Sequence, residues 1–256
     1  MTSGSMHVVR PGLQTTVQDL GRWGFQALGV PVAGPMDVCA HRMANALVGN
    51  GRTAAVLEIA LVGPDVEFED ERLVAVTGAE FVLTVEDAVA PHARPFVVAP
   101  RSRLCFGRRV RGARAYLAVD GGFDVRPVLG SRSTRVPTSM GGWFGRALIA
   151  GDRLPLGPLQ ESRSRVMRRR VPDDAAAVGS CLAVRVLPGP ELERFGDEAL
   201  DVLQSGPYAI GTDSNRMGFR LTGPELGAEG GKIDAAGFIR RDRIDDKAAL
   251  RRRKSN

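Results

Sequence analysis

The segment EFVLTVED, residues 80–87, alternates side chains along its length and predicts a half-buried β-strand. Phe81, Leu83 and Val85 share one face of this strand, and the other face carries a valine, a threonine and a glutamate. Further short runs, bounded by Gly, Pro or Asp, continue from Ala54 to Leu156. So many strands beside one clear helix predict a mainly β fold with a closed or nearly closed barrel.

The composition is that of a globular protein rich in turns. The 256 residues include 31 glycines and 16 prolines but only 5% aromatic residues, which favours many short strands over a helical bundle. No apolar run approaches the roughly 20 residues that cross a bilayer, and residues 1–7 contain no apolar signal-peptide core. We therefore expect a soluble, cytoplasmic protein with no membrane partner.

The formal net charge of +6 raises the question of nucleic-acid binding. The basic residues crowd two segments, residues 163–170 and residues 251–254. Neither segment interleaves aromatic residues for base stacking, and no helix-turn-helix or RNA-binding motif accompanies them. We interpret both as a solvated linker and tail and expect no nucleic-acid partner.

The usual catalytic and metal-binding signatures are absent. The sequence has no GxxxxGK[ST], HExxH, GxSxG or GxGxxG motif. Cys39, Cys105 and Cys181 lack CxxC spacing, and the three histidines are dispersed, so we expect no metal site and no disulfide framework. Buried, reduced thiols are the expectation for the cysteines.

The clearest helix begins after Asp37, a potential N-cap, and stops at Gly49. A helical projection places Asp37, His41, Arg42 and Asn45 on one polar side. This side either faces solvent or lines a cleft that orients a small polar substrate. The opposite, apolar side is expected to pack on the body of the protein and consists of Cys39, Ala40, Met43, Ala44, Ala46 and Leu47.

A second group of candidate residues lies in NRMGFRLTGP, residues 215–224. Arg216 and Arg220 project from one strand face, with Gly218 between them. Each arginine lies about 7 Å along the strand from Gly218, which opens a space between the two guanidiniums that suits a carboxylate, phosphate or carbonate-like anion. The alternative is a pair of arginines on an exposed sheet face.

A third candidate is the loop GSRST, residues 130–134. Arg132, Ser133 and Thr134 supply a guanidinium, two hydroxyls and backbone N–H groups, a combination compatible with oxyanion binding. A purely structural loop is the alternative.

Glu58 is the fourth candidate because it is a lone acid in the apolar run VLEIAL. Burial would raise its pKa and make it a candidate acid or base. The alternative is a salt-bridged acid at a strand edge.

Seven motifs, taken together and in order, resemble a known family. They are PGLQTTVQDLGRWGFQALGVPVAGPMD, AHRMANALVGN, AAVLEIAL, YLAVDGGFDV, VLGSRST, GRALIAGDRLPLG and SNRMGFRLTGP. Between His7 and Pro224 the chain resembles the carboxyltransferase family that is also labelled allophanate hydrolase subunit 2. Members include the C subunit of 5-oxoprolinase, a KipA-type antagonist of a sporulation-kinase inhibitor, and the carboxyltransferase part of urea carboxylase.

The resemblance implies two cyclophilin-like β-barrel domains. We expect a first barrel at residues 7–158, an Arg-rich linker at 159–180, a partial second barrel at 181–224 and an atypical basic tail at 225–256. The family motifs GAIQVPP and TTGGYP, which follow the last matching segment, do not occur. We therefore expect a truncated or frameshifted second barrel with an exposed apolar face on Met217, Phe219 and Leu221. Any site residues in the missing segment would be lost. In the tail we expect disorder or a weak helix.

The resemblance also implies a function. The C subunit of 5-oxoprolinase acts with the A and B subunits, of which the B subunit has a related fold, to hydrolyse 5-oxoproline, a small cyclic amide, to glutamate with the use of ATP. Two alternatives stay open: a KipA-type regulatory binding protein, and a biotin-dependent carboxyltransferase component for urea or another amide. Biotin is expected only under the last. The candidate catalytic residues are Asp37, Asn45 and Glu58, and the candidate substrate- or anion-binding residues are Arg42, Arg132, Ser133, Thr134, Arg216 and Arg220.

Overall fold

The computed structural model describes residues 4–159, 166–171, 195, 198–214, 218–226 and 238–240. The chain divides into two compact units, Met1–Val178 and Gly179–Asn256. Among the described residues, no helix is long and apolar enough to cross a membrane.

Across its described residues, the first unit is built mainly from antiparallel β-strands, with one long α-helix and two short 3-10 turns. The strands are β1 (Ser5–Arg10), β2 (Gln14–Gln18), β3 (Val56–Ala60), β4 (Asp65–Phe68), β5 (Arg72–Val85), β6 (Ala88–Ala90), β7 (Pro95–Val98), β8 (Arg103–Val119) and β9 (Arg153–Pro155). Helix α1 is Val38–Val48, and the turns are Gln26–Leu28 and Val136–Thr138.

The nine strands form one sheet that curls into a half-barrel. The path β2-β3-β8-β4-β1-β9 runs through the sheet, and β5 pairs with β6, β7 and β8. Strands β5 and β8, of 14 and 17 residues, each pair with several shorter strands along their length, so they bend with the sheet. Phe81 and Leu83 are buried and Val82 is exposed, which confirms the alternation predicted for this segment. The predicted mainly β class is also confirmed.

Apolar side chains pack on both faces of the sheet. One core cluster includes Val74 and Val76 of β5, and the other, between the sheet and α1, includes Leu73 and Ala75. Because successive side chains of a strand point to opposite faces, β5 contributes to both clusters. A strand covered on both sides is therefore apolar almost throughout, as Leu73–Val76 is.

Helix α1 begins and ends as predicted. Asp37 accepts a hydrogen bond from the backbone N–H of Ala40 at 2.8 Å, and Gly49 closes the helix with φ 83°. The buried face is rotated from the predicted one: His41 and Asn45 are fully buried, whereas Cys39 and Ala46 are exposed. The prediction that the whole polar side faces solvent or a cleft was wrong, because other segments of the unit pack over these two polar side chains.

The expected burial of the cysteines was also wrong for the two that are described. Cys39 is exposed on α1, and Cys105 on β8 is partly exposed; both are free thiols. Cys181 lies outside the described residues. The rotation of α1 explains Cys39, because Ala40, on the next helical position, takes the place against the sheet.

Part of the predicted linker packs on the first unit. Val166 and Val171 are buried in the same cluster as the apolar face of α1, and Val171 donates its N–H to the carbonyl of Ala93 at 3.1 Å. Arg168–Arg170 between them are exposed, in line with the solvated charge expected there. The rest of residues 160–180 lies outside the described part of the chain.

The second unit contains helix α2 (Ala199–Ser205) and a three-stranded antiparallel sheet. Its strands, in spatial order, are β10 (Ala209–Ile210), β11 (Gly218–Thr222) and β12 (Phe238–Arg240). Strand β12 lies where disorder or a weak helix was predicted, and it pairs with β11. Phe219 and Leu221 are half-buried rather than fully exposed, and Met217 is outside the described residues. A second barrel stays a prediction.

Candidate functional site

The end of β2 and the loop after β8 meet beneath α1. Thr134 donates its backbone N–H and its hydroxyl to the carbonyl of Val17, both at 2.9 Å. In turn, Gln18 donates a hydrogen bond from its Nε2 to the Thr134 carbonyl at 3.1 Å. These bonds join segments more than 110 residues apart in the chain. We use the term buried polar cluster for the residues gathered here: Gln18, Asp19, Arg22, His41, Ser131, Ser133 and Thr134.

Asp19 is the hydrogen-bonding centre of this cluster. Its Oδ1 accepts from the hydroxyls of Ser131 and Ser133, both at 2.6 Å, and from the N–H of Gly21 at 2.9 Å. Its Oδ2 accepts from the backbone N–H of Arg132. Burial works against ionisation, but the donated bonds outweigh it, so the pKa of Asp19 is held below its ordinary value. Asp19 is therefore an ionised organiser of the loop at neutral pH.

Arg22 is 1% exposed and lies against the same loop. Its Nη2 donates to the carbonyl of Ser133, and its backbone N–H donates to the carbonyl of Val32 at 2.8 Å. Burial lowers the pKa of this guanidinium, and the charge of Arg135 acts in the same direction. Gly141 has φ 68°, and a Cβ there would collide with the Ser133 carbonyl and Arg22 Nη2. Glycine is therefore needed where the loop covers the arginine.

His41 of α1 faces the cluster from the helix side. Its ring is fully buried and stands edge-on to Tyr116, with ring centroids 6.4 Å apart. Burial lowers the pKa of His41, and the backbone of Gln18 and the charge of Asp19 only partly oppose this. The imidazole is therefore neutral at pH 7.

A row of polar side chains crosses the sheet under α1, next to the cluster. We call Thr16, Glu58, Tyr116 and Thr77 the polar row; each is opposite the next on a neighbouring strand. All four are buried. Thr16 accepts from Gln18 Nε2 at 3.0 Å, and Thr77 donates its hydroxyl to the carbonyl of Ala40 at 2.7 Å. The row thus connects the cluster to the helix.

Glu58 and Tyr116 hold the segment that leads into α1. The Glu58 carboxylate accepts from the N–H of Met36 at 2.8 Å and from the Tyr116 hydroxyl at 2.9 Å. The same hydroxyl accepts from the backbone N–H of Asp37 at 2.7 Å. Burial, followed by the charge of Glu58, raises the pKa of Tyr116. Arg114 Nη1 lies 3.7 Å from Glu58 Oε1. These contacts position the GPMD turn, and Glu58 is bound on several sides.

The remaining predicted site residues lie outside the buried polar cluster. Asn45 donates to the carbonyl of Ala54 at 2.9 Å and accepts from Asn50 at 3.0 Å, which fixes the end of the helix. Asp37 caps the helix, and Arg42 is exposed, unlike the buried His41 beside it.

Arg132 and the two predicted strand arginines lie outside the cluster or outside its unit. The Arg132 guanidinium turns outward, donating to the carbonyl of Val125 at 2.8 Å and pairing with Asp124 at 3.0 Å. Arg220 belongs to the second unit, where it donates to the carbonyl of Asp213. Arg216 lies outside the described residues. Of the predicted anion-binding residues, Ser133 and Thr134 are the two that the structure brings into the cluster.

Asp19 and Arg22 were not singled out from the sequence. Both lie in DLGR, residues 19–22, directly after strand β2, and this position at a strand end is the signal that was available. Nothing local in that run indicates that its partners are two serines more than 100 residues further along the chain.

Comparison with known proteins identifies the family. The chain matches the model of the carboxyltransferase domain, subdomain A and B, over residues 28–240, and it belongs to this family. It is 39% identical over 224 residues to the C subunit of 5-oxoprolinase from Escherichia coli (strain K12), a match that covers 86% of this chain and 69% of that protein. It is 33% identical over 240 residues to urea amidolyase of Saccharomyces cerevisiae (strain ATCC 204508 / S288c), covering 89% of this chain but 13% of the yeast protein.

Solved structures agree with this assignment. The urea amidolyase of K. lactis superimposes with a TM-score of 0.80 at 34% identity, over 89% of this chain and 14% of that one. The protein TTHA0988 superimposes with a TM-score of 0.75 at 36% identity, over 87% of this chain and 80% of that one. These neighbours share the carboxyltransferase fold.

Proposed function

We propose that the chain is the C subunit of an ATP-dependent 5-oxoprolinase, a complex that hydrolyses 5-oxoproline to glutamate. The observation that carries this proposal is the 39% identity to the bacterial C subunit over 69% of its length. The A and B subunits of 5-oxoprolinase are the proposed partners, the cytoplasm is the proposed compartment, and a small cyclic amide is the proposed substrate.

The proposed hydrolysis requires stabilisation of negative charge more than it requires a strong base. A lactam is a stable amide, and its activation with ATP passes through charged intermediates that positive groups and oriented donors stabilise. The buried polar cluster offers the N–H groups of the Arg22 guanidinium and of the neutral His41 imidazole, while the hydroxyls of Ser131 and Ser133 are donated to Asp19. Asp19 is committed to four donors, so we assign it the role of positioning Ser133 and the loop around Arg22.

Under this proposal, the three residues predicted as catalytic position the helix instead. Glu58 and Asn45 hold the two ends of α1 in place, and Asp37 is its cap. We therefore propose positioning roles for these three residues. ATP would be used by the complex; the sequence includes no GxxxxGK[ST] loop, and we assign no nucleotide contact to this chain.

Biotin-dependent carboxyl transfer is the second candidate function. It is favoured by the matches to the urea amidolyases of Saccharomyces cerevisiae and Lachancea kluyveri, which each cover 89% of this chain at 33% and 35% identity. In this case biotin on a separate carrier would deliver a carboxyl group to urea or another amide. Transfer to such an acceptor also creates negative charge, so the same cluster suits both reactions.

Reconstitution separates the two functions. The purified chain is mixed with the A and B subunits of 5-oxoprolinase, and glutamate and ADP are measured with 5-oxoproline and ATP. We expect glutamate release that requires all three proteins. A parallel mixture contains a biotin carboxylase, a biotinylated carrier, urea and bicarbonate. Carboxylation there, together with no glutamate release from the first mixture, would replace the hydrolase proposal with the carboxyl-transfer one.

A further inference from the structure

Among the described residues of the first unit, two arginines are almost completely buried, and they differ sharply in their partners. Arg22 and Arg72 are each 1% exposed. A buried charge is tolerated in a folded protein when an opposite charge and hydrogen-bond acceptors replace the lost water. The two side chains can therefore be compared within one molecule.

Arg72 meets these requirements. Its Nε and Nη2 form a bidentate pair with Asp70 at 2.7 and 2.8 Å, and its Nη1 donates to the carbonyls of Asp120 at 3.0 Å and Gly157 at 2.8 Å. All three nitrogens are engaged. Arg72 is a structural arginine that joins the start of β5 to the loops after β8 and β9.

Arg22 does not meet them. Its guanidinium makes one hydrogen bond, from Nη2 to the Ser133 carbonyl, and within the described part of the chain Nε and Nη1 have no acceptor. Asp19 is close enough for its charge to act on Arg22, but its oxygens are occupied by other donors. They accept from Ser131, Ser133, Gly21 and the N–H of Arg132.

A second guanidinium lies nearby. The charge of Arg135 lowers the pKa of Arg22, so the two side chains are close enough to act on each other. Both arginines lie next to exposed residues in the chain, since Trp23, next to Arg22, is 68% exposed and Val136, next to Arg135, is 39% exposed. A planar guanidinium with unused N–H groups in such surroundings is suited to a carboxylate or another small oxyanion.

We propose that Arg22, assisted by the charge of Arg135, is a binding site for a small oxyanion, the carboxylate of the substrate or a phosphate group. The bound anion has two possible sources. For the first, the carboxylate of 5-oxoproline, this inference rests on the proposed function. Phosphate is the other source, since the proposed reaction consumes ATP. Urea itself is neutral and would not be the bound anion.

Binding to the full chain tests the site without any turnover. Isothermal titration is carried out with 5-oxoproline, with 2-pyrrolidinone, which is the same lactam without the carboxylate, and with inorganic phosphate. We expect 5-oxoproline or phosphate to bind, and 2-pyrrolidinone to bind at least about tenfold more weakly, as expected for loss of a charged hydrogen-bonded contact. Arg22→Gln should weaken binding of the anion by about tenfold to 100-fold. The control Arg108→Gln alters an exposed arginine of β8 and should change nothing.

Stability provides an independent readout. Removing a buried charge that has one hydrogen bond and no ion pair among the described residues should cost little, so Arg22→Met should melt at or above the temperature of the unsubstituted chain. Arg72→Met strands Asp70 and two carbonyls and should melt well below it. The bound anion should raise the melting temperature of the unsubstituted chain and not that of Arg22→Met.

The outcomes separate this inference from the proposed function. Anion binding that depends on Arg22 supports the site even where the reconstituted mixture releases no glutamate. Active reconstitution with an unchanged KM for 5-oxoproline in Arg22→Gln, and unchanged phosphate binding, would overturn it. Equal binding of 5-oxoproline and 2-pyrrolidinone with no binding of phosphate, or equal destabilisation by Arg22→Met and Arg72→Met, would also overturn it.

Discussion

Tyr116→Phe tests whether the polar row holds helix α1 in place. The side chain of Tyr116 is fully buried, and its hydroxyl donates to Glu58 at 2.9 Å and accepts from the N–H of Asp37 at 2.7 Å. The substitution deletes one oxygen and leaves the ring in the core. Each lost bond is expected to cost about 0.5–1.5 kcal/mol, and stranding a buried group raises the total to about 2–3 kcal/mol.

Urea denaturation followed by tryptophan fluorescence measures this loss in the correct unit. Both tryptophans, Trp23 and Trp143, belong to the first unit, so their emission reports its unfolding. The chain has two tyrosines, and Tyr208→Phe, in the second unit, is the matched control. It should leave the tryptophan transition unchanged, because its hydroxyl bonds within its own unit to the carbonyl of Pro224 at 2.8 Å.

A double-mutant cycle then assigns the loss to one interaction. Glu58→Gln alone and Tyr116→Phe alone should each destabilise the first unit, and the double variant should be more stable than their sum predicts by about 1 kcal/mol or more. The pH profile gives a further check. The raised pKa of Tyr116 means that its contribution is present below the unfolded value of 10.0 and is lost as pH rises through the folded pKa. A cost below about 0.5 kcal/mol, with additive single variants, would refute the bracing role.

Two further substitutions test the buried polar cluster. Asp19→Asn should destabilise the first unit by about 2–4 kcal/mol at pH 7, because a carboxylate that accepts four bonds is replaced by an amide with one acceptor. Because the pKa of Asp19 is lowered, this stability difference is present above pH 3.8 and shrinks as the pH falls through the folded pKa. Urea titrations at several pH values measure the difference. A difference that does not change with pH would contradict the ionised state assigned to Asp19. Gly141→Ala should cost more than Gly130→Ala, about 2–4 against about 1 kcal/mol, in the same urea titrations. The two glycines have φ 68° and 75°, but only a Cβ at 141 meets other atoms, so equal costs would show that the close approach to Arg22 does not matter.

Local features of the fold were predictable because their causes lie within a few residues. The alternation of Phe81, Val82 and Leu83 follows from the two-residue period of a strand, and the structure has it. The ends of α1 follow from the capping oxygen of Asp37 and the left-handed conformation of Gly49. Glu58 is visible in the sequence as a lone acid in an apolar strand, and it is buried there.

The buried face of α1 could not be predicted from the helix sequence alone. A projection places His41 and Asn45 with Arg42 on a polar side, but the loop after α1 offers Asn45 an acceptor at Ala54, and the sheet gives His41 the edge of Tyr116. Asn45 can be buried because a segment outside the helix supplies its partner, whereas the two ring nitrogens of His41 have no hydrogen-bond partner among the described residues. The burial of α1 is therefore a property of the packed unit and not of the helix sequence.

The sequence by itself determined the mainly β class, the capped ends of helix α1 and membership of the family, since these depend on short-range periodicity, capping and ordered motifs. Only the tertiary structure decided what surrounds Asp19 and Arg22. The hydroxyls that bind Asp19 come from Ser131 and Ser133, 112 and 114 residues away, and the register of β2, β3 and β8 brings Glu58 opposite Tyr116. Hydrogen-bond partners across such distances are set by strand pairing and loop packing, which leave no periodic signal in the chain.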